Sequence, residues 1–217
     1  MRQNAKNDGR LAHLIAATTA GLLAATWLAA AGCSSTASAQ EPAFTLTSPD
    51  LASGTFAEQF VLNGFGCAGG NVSPALQWAN VPSGTKSLAL QLFDPDAPTG
   101  SGFWHWAVYD LPADATGLAQ GAGNNPALLP SGAIAGTNDF LDTGATSGNG
   151  NYGGPCPPQG DAPHRYTFTL YALSVDKLEV AGGVPKTGTA ALYAFVLNKG
   201  VGPGLLGKAT LTVNFSR

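Results

Sequence analysis

Two histidine clusters are the parts of this chain best suited to chemistry. The chain has three histidines, and His13 falls in an N-terminal segment that is expected to be removed. His105 lies within Phe-Trp-His-Trp, shortly after the segment 94–98, Asp-Pro-Asp-Ala-Pro. His164 begins His-Arg-Tyr, after the segment 153–158, Gly-Gly-Pro-Cys-Pro-Pro. Because the neutral imidazole ring needs hydrogen-bond partners at both nitrogens, the two clusters predict one shared polar pocket.

Side-chain alternation places these polar residues at the ends of apolar rows. Residues two apart lie on the same face of a strand, so Asp94 extends one row, and His164 with Tyr166 begins another. The apolar members are Leu88, Leu90 and Leu92 in the first row, and Phe168 and Leu170 in the second. Core-facing rows that end in polar groups predict the floor and rim of a binding pocket.

The elements that must position the pocket are mostly strands. Alternating or aromatic-rich segments predict strands over 44–47, 75–79, 87–93, 103–111, 165–174 and 208–215. One helix is predicted over 189–198, ended by Lys199-Gly200. The segment 138–160 is rich in Gly, Pro and Asn, and long loops of this kind often carry function. The predicted fold class is mainly β.

Residues 1–32 have the layout of a secretory signal peptide, with basic residues before an uncharged Ala/Leu-rich run. That run is also long enough to span a bilayer if it stays uncleaved. Ala-Ala-Gly before Cys33 resembles a bacterial lipobox, whose lipidated cysteine would anchor the protein to a membrane. Ala-Ser-Ala predicts ordinary cleavage after Ala39 instead. The lipoprotein is preferred, with residues 33–43 as a flexible tether and 44–217 as one domain, and both alternatives export the protein to the cell envelope or periplasm.

Cys67 and Cys156 are the two cysteines beyond Cys33. In an exported chain such a pair predicts one disulfide, and two buried free thiols are the alternative. The chain carries 10 Lys and Arg against 13 Asp and Glu, a formal net charge of −3. An acidic chain without a basic cluster argues against a nucleic-acid partner.

The loop that begins Gly153-Gly154-Pro155 offers backbone amides without hindrance from side chains. Such amides can form an anion-binding concavity, to which protonated histidines would add donors. An irregular loop without a ligand is the alternative that this segment alone leaves open.

Several separated motifs resemble the phosphatidylethanolamine-binding protein family, in particular its bacterial Raf-kinase-inhibitor-like branch. The motifs are 71–78 (Asn-Val-Ser-Pro-Ala-Leu-Gln-Trp), 94–98, His105-Trp106, 136–140 (Gly-Thr-Asn-Asp-Phe), 154–158, 164–166 and 171–173 (Tyr-Ala-Leu). The resemblance runs from residue 44 to the end of the sequence. It implies a large antiparallel sheet packed on a smaller one, with few short helices.

The resemblance also implies a cavity for a small anionic ligand, such as phosphate or a phospholipid head group, and no cofactor. Carried over by motif, its lining would be Asp94, Asp96, His105, Gly154, Pro155, His164 and Tyr166. His105 and His164 would donate hydrogen bonds to the anion. Asp94 would orient a histidine or meet an amine, and Gly154 would supply backbone.

Two other functions compete with ligand binding. Cys156 and His164 are close in sequence, so a Cys/His-dependent hydrolase is one alternative, although the chain lacks Gly-x-Ser-x-Gly, His-Glu-x-x-His and Cys-x-x-Cys. The other is a periplasmic inhibitor or interaction module that contacts a partner protein through the loop 138–150. No residue spacing predicts a metal site. Binding without catalysis is the predicted function.

Overall fold

The computed structural model describes residues 41–141 and 143–217. Its strands are β1 Thr45–Thr47, β2 Asn63–Gly64, β3 Cys67–Ala68, β4 Leu76–Ala79, β5 Ser87–Asp94, β6 Phe103–Pro112, β7 Gly117–Leu118, β8 Ile134–Ala135, β9 His164–Leu173 and β10 Leu205–Phe215. Its α-helices are α1 Leu178–Gly182 and α2 Ala190–Phe195, and α2 continues as a π-helical turn over Val196–Gly200. The mainly β class is confirmed.

An antiparallel five-stranded sheet, in the order β10-β9-β5-β6-β8, forms the centre of the fold. Leu92 in β5 pairs with Phe168 in β9 on one side and with Trp106 in β6 on the other. Cross-strand neighbours share a face of the sheet, and the predicted apolar rows are fully buried on it. The strands predicted over 87–93, 103–111, 165–174 and 208–215 are confirmed, with ends shifted by one to three residues.

A three-stranded sheet, β1-β4-β7, packs on one face of the central sheet. Leu46 pairs with Trp78, and Leu76 pairs with Leu118. These side chains join the leucines of β5 in one buried cluster, and removal of that apolar surface from water stabilises the contact between the sheets. The expected packing of a large sheet on a smaller one is confirmed.

The two α-helices cover the other face of the central sheet. Tyr109 in β6 stacks on Tyr193 in α2 with ring centroids 4.1 Å apart. Thr189 caps α2, since its side chain accepts a hydrogen bond from the Leu192 amide. The helix predicted over 189–198 is therefore correct in position, but its second half is π-helical. The pattern does not predict α1, because five residues are too few to show helical periodicity.

Three predictions fall outside the described residues: the signal peptide over 1–32, the lipid on Cys33 and the cleavage after Ala39. The predicted tether also lies outside them, apart from residues 41–43, which have no regular secondary structure. Within the described ranges, no helix combines the length and hydrophobicity needed to cross a membrane.

Candidate functional site

A cavity of about 160 Å³ opens at the edge of the central sheet where β5 ends and where β6 and β9 begin. Besides Thr99, its polar lining comes from Asp94, His105, His164 and Tyr166, and Gly154 adds backbone. These are five of the seven residues predicted for the site, and they come from three strands and one loop. Their meeting follows from the antiparallel pairing of β5 with β6 and β9.

Asp94 and His164 form a buried pair on the cavity floor. Nδ1 of His164 lies 2.8 Å from Oδ2 of Asp94, and both side chains are almost inaccessible to solvent. On its other side, Nε2 of His164 lies 3.4 Å from Oδ2 of Asp161, whose side chain is half-exposed. Carboxylate oxygens only accept hydrogen bonds, so both ring nitrogens donate when His164 is an imidazolium.

The pKa of His164 is raised in this setting. Burial alone would lower it, but the hydrogen bond and charge of Asp94, followed by those of Asp161, outweigh burial. Burial and the neighbouring Asp94 carboxylate raise the pKa of Tyr166, so its hydroxyl keeps its proton. The floor of the cavity therefore holds an imidazole whose protonated form is favoured, one buried carboxyl group and one neutral phenol.

A β-bulge in β6 turns His105 toward this floor. The register shifts between Leu92, which pairs with Trp106, and Phe93, which pairs with Trp104, and His105 is the extra residue. Trp104 consequently faces the helices and Trp106 faces the small sheet. Bulges commonly re-aim a side chain beside a functional site. The ring of His105 lies 5.1 Å from that of Tyr166, which places the two histidine clusters in one cavity.

His105 is neutral at physiological pH. Its burial lowers its pKa to about 4, although the Gly153 carbonyl and Asp94 partly offset this effect. Nδ1 lies 2.9 Å from the Gly153 carbonyl oxygen, so it must carry the proton. Nε2 is then a hydrogen-bond acceptor, and it has no protein partner among the described residues. The role expected for His105, a donor to an anion, does not fit this tautomer.

The loop at 153–156 has its amides engaged inside the protein. The Gly153 amide donates to the His105 carbonyl over 3.1 Å, and the Gly154 amide donates to Oδ1 of Asn71 over 2.8 Å. Pro155 has no amide hydrogen, and its carbonyl accepts from the Leu62 amide. The prediction that the glycine amides of this loop form an anion-binding concavity is therefore wrong.

Asp96 and Pro155 do not line the cavity, unlike the other five predicted residues. The Asp96 carboxylate bonds to the Arg165 side chain over 2.7 and 2.9 Å and to the Arg165 amide. The paired guanidinium lowers the pKa of Asp96 to about 2. Asp96 fixes the β5–β6 turn to the start of β9, and Pro155 contributes only the shape of its loop.

Cys156 lines the cavity and is joined to Cys67 in a disulfide whose Cα atoms are 6.0 Å apart. The bond ties the 153–156 loop to the short hairpin of β2 and β3. It also removes the thiolate that a Cys/His-dependent hydrolase requires.

The apolar walls of the cavity are not predicted by the sequence pattern. Phe103 and Phe140 stand edge-on to the His105 ring at 5.0 and 5.5 Å, and Leu62 closes another side. Phe65, which is 63% exposed, stacks on Phe140 at the mouth of the cavity. Phe103 and Phe140 lie within or beside the family motifs, but the sequence pattern does not predict which way their rings point.

Comparison with known proteins identifies a family and close relatives. The family model described as phosphatidylethanolamine-binding protein matches residues 52–216. The UPF0098 protein YbcL of Escherichia coli is 46% identical over 165 residues, which cover 75% of this chain and 84% of that protein. The UPF0098 protein YbhB of the same bacterium is 45% identical over 139 residues, covering 64% and 83%.

Two solved structures and one further relative add detail. The crystal structure of Escherichia coli YbcL, described as a new member of the mammalian PEBP family, gives a TM-score of 0.69 at 40% identity and covers 80% of this chain and 98% of that one. The homologue CT736 of Chlamydia trachomatis gives 0.57 at 28% identity, covering 81% and 98%. LppC of Mycobacterium tuberculosis, which carries a lipoprotein name, is 40% identical over 111 residues, covering 51% and 48%.

Proposed function

This chain belongs to the phosphatidylethanolamine-binding protein family, as its motifs predict, and from that premise we propose that it is a binding protein for a small ligand with a phosphate-type anionic head group. The ligand occupies the cavity between the ends of β5, β6 and β9. The bound molecule is inorganic phosphate or the phosphorylated head of a larger compound. No chemical turnover is part of the proposal.

One observation carries the proposal: a charged imidazole at the floor of a small cavity with apolar walls. Asp94 and Asp161 raise the pKa of His164 and so favour its protonated form. A cation in a site of low dielectric attracts an anion more strongly than it would in water. A cavity of about 160 Å³ suits a head group, and the exposed Phe65 at its mouth suits an apolar continuation of the ligand.

Binding is favoured over the two alternatives. The disulfide at Cys156 leaves the hydrolase hypothesis without its nucleophile. The loop predicted to contact a partner protein instead supports His105, since Nδ2 of Asn138 donates to the His105 carbonyl. The interaction module stays a prediction, with no contact in the described residues that favours it.

The proposal includes export and a lipid anchor at Cys33. The lipobox-like segment before that cysteine supports it, as does the similarity to LppC. Mass spectrometry of the protein from bacterial membranes would identify the first residue. A lipid-bearing Cys33 is expected, and an unmodified start at Gln40 would overturn the anchor.

Calorimetric titration with inorganic phosphate and with phosphoethanolamine tests the cavity. His164→Gln should weaken binding of both about tenfold or more, because it removes the positive charge of the imidazolium beside the anion. Lys86→Gln is the matched control: it also removes one positive charge, but Lys86 pairs with Asp176 on the surface, outside the cavity. If neither compound binds the unaltered protein, or if the two variants bind equally, the proposed function is wrong.

A further inference from the structure

The cavity offers few donors to a ligand. Nδ1 of His105 donates to the Gly153 carbonyl, and both nitrogens of His164 are directed at carboxylates. The amides of Gly153 and Gly154 are used within the protein. The Tyr166 hydroxyl is the remaining donor on the floor, and it lies within hydrogen-bond reach of the Asp94 carboxylate.

The same cavity offers open acceptors. Nε2 of His105 carries a lone pair and has no partner among the described residues. The two oxygens of Asp94 accept from the Asp96 amide at 2.9 Å and from His164 at 2.8 Å, and the Tyr166 hydroxyl is a third hydrogen-bond partner of this carboxylate. A carboxylate oxygen has room for a second hydrogen bond. A ligand that only accepts would leave these lone pairs unmatched and desolvated.

The charges around His105 also disfavour a doubly charged ligand. The charged groups that act on its ring are Asp94 at the end of β5 and His164 in β9. The Tyr166 ring lies 5.1 Å away, and Asp161 lies beyond His164. Among these, carboxylates outnumber the single imidazolium. Asp96 and Arg165 neutralise one another outside the cavity, so they add no net attraction.

We infer that the cavity takes a phosphate monoester as its singly protonated monoanion, with the P–OH group donating to Nε2 of His105. The inference rests on the proposed function and names the form of the ligand. The remaining phosphate oxygens accept from Tyr166 and lie beside the His164 cation. The Asp94 carboxylate can accept a hydrogen bond from a second donor group of the ligand.

Discrimination between anions follows from this arrangement. A phosphate monoester loses its second proton at a pKa of about 6, so it carries a donor in mildly acidic solution. A phosphodiester and sulfate carry no such proton under the same conditions. They present only acceptors to Nε2 of His105, so both should bind poorly.

The experiment is a calorimetric titration with methyl phosphate, dimethyl phosphate and sulfate at about pH 5 and about pH 7. Methyl phosphate should bind about tenfold more weakly at the higher pH, because the required monoanion is then the minor species. Dimethyl phosphate and sulfate should bind at least about tenfold more weakly than methyl phosphate at the lower pH, since each lacks one hydrogen bond and leaves an acceptor unmatched.

Two variants separate the acceptor role of His105 from its role in packing. His105→Gln can present a side-chain oxygen near the position of Nε2 and should keep most of the affinity for methyl phosphate. His105→Leu fills the space without an acceptor and should lose about tenfold. Thermal unfolding and the nuclear magnetic resonance spectrum verify that each variant is folded, and a Gln and Leu pair with equal affinities would contradict the acceptor role.

Failure of the inference is distinguishable from failure of the proposed function. If methyl phosphate binds equally at both pH values, the inference is wrong while the cavity remains a phosphate site. The same holds if sulfate and dimethyl phosphate gain as much affinity at low pH as methyl phosphate, because the protein and not the ligand then takes up the proton. If none of the three compounds binds at either pH, both are wrong.

Discussion

On the helix-covered face of the central sheet, Nε2 of the buried Gln91 has two hydrogen-bond partners in the protein, whereas on the cavity face Nε2 of the buried His105 has none among the described residues. Nε2 of Gln91 donates to the Tyr109 hydroxyl at 3.0 Å and to the Ala190 carbonyl at 2.9 Å. The stacked rings of Tyr109 and Tyr193 complete that face.

The cavity face buries its polar groups at similar depth but leaves some of them unmatched. His105 keeps an open acceptor, and the Asp94–His164 pair stands beside an open volume rather than under a helix. Buried polar groups are nearly always satisfied, and exceptions call for an explanation. An unmatched buried group beside a cavity indicates a binding site, while a matched one indicates structural support.

The largest effect is expected from removing the disulfide between Cys67 and Cys156, which lies in the cavity wall. Cys67→Ser together with Cys156→Ser removes a crosslink between residues 89 apart, and the chain-entropy relation then predicts a loss of roughly 4–5 kcal/mol in the free energy of unfolding. Denaturant unfolding with and without reductant measures it. The double variant should be insensitive to reductant, and a loss below about 1 kcal/mol would show that the bond contributes little.

The next largest effect is expected from one substitution on each face of the central sheet, which tests the contrast between the two faces directly. Asp94→Leu leaves His164 without its buried partner and should lower the free energy of unfolding by about 3 kcal/mol. Methyl phosphate binding should weaken, because His164 loses the carboxylate that most favours its protonated form. Gln91→Leu should cost about 1–2 kcal/mol for the unmatched groups and leave binding intact. Unfolding and titration of both variants provide the test. Equal loss of binding in the two would erase the contrast between the faces.

The two histidines should give stability opposite dependences on pH. The folded pKa of His105, about 4, lies below its ordinary value of 6.5, so its contribution is present above 6.5 and is lost as the pH falls toward 4, by about 3 kcal/mol. The raised pKa of His164 gives a contribution that is full below 6.5 and is lost as the pH rises through its folded pKa.

Unfolding measured across this range should therefore show a decline on both sides. His105→Gln should flatten the acidic side, and Asp161→Asn should weaken the alkaline one. A profile unchanged by both substitutions would contradict these assignments.

The smallest effect belongs to the ion pair outside the cavity. Arg165→Gln should raise the pKa of Asp96 from about 2 toward its ordinary value, because the guanidinium is the main stabiliser of that carboxylate. Carboxyl chemical shifts followed over pH measure the change. Methyl phosphate affinity should stay within about twofold, since surface ion pairs contribute little, and a larger drop would place Asp96 and Arg165 within the site.

The sequence predicted the frame of the site better than its hydrogen bonds. Alternation placed Asp94 and His164 at the ends of buried rows, because that periodicity depends only on neighbours along the chain. The position of His105 depends on a bulge in β6 opposite Leu92, which is a property of two strands in register. Strict alternation would have turned its ring to the other face.

The hydrogen bonds of the loop at 153–156 were likewise not predictable from the sequence. Its glycines suggested free amides, but the acceptor that occupies the Gly154 amide is Asn71, which is 83 positions away in the sequence. A contact of that range leaves no local pattern. The family resemblance included both segments but carried no information about which of their atoms form hydrogen bonds with one another.

Ring nitrogen shifts of His105 and His164, recorded by nuclear magnetic resonance while inorganic phosphate is added at about pH 6, test the central claim most directly, because the protonation of each imidazole nitrogen is then visible. The account predicts that Nε2 of His105 shifts as a saturable function of phosphate while its Nδ1 keeps its proton, and that His164 stays doubly protonated. Saturable phosphate binding that leaves both rings unchanged would place the ligand elsewhere and contradict the account.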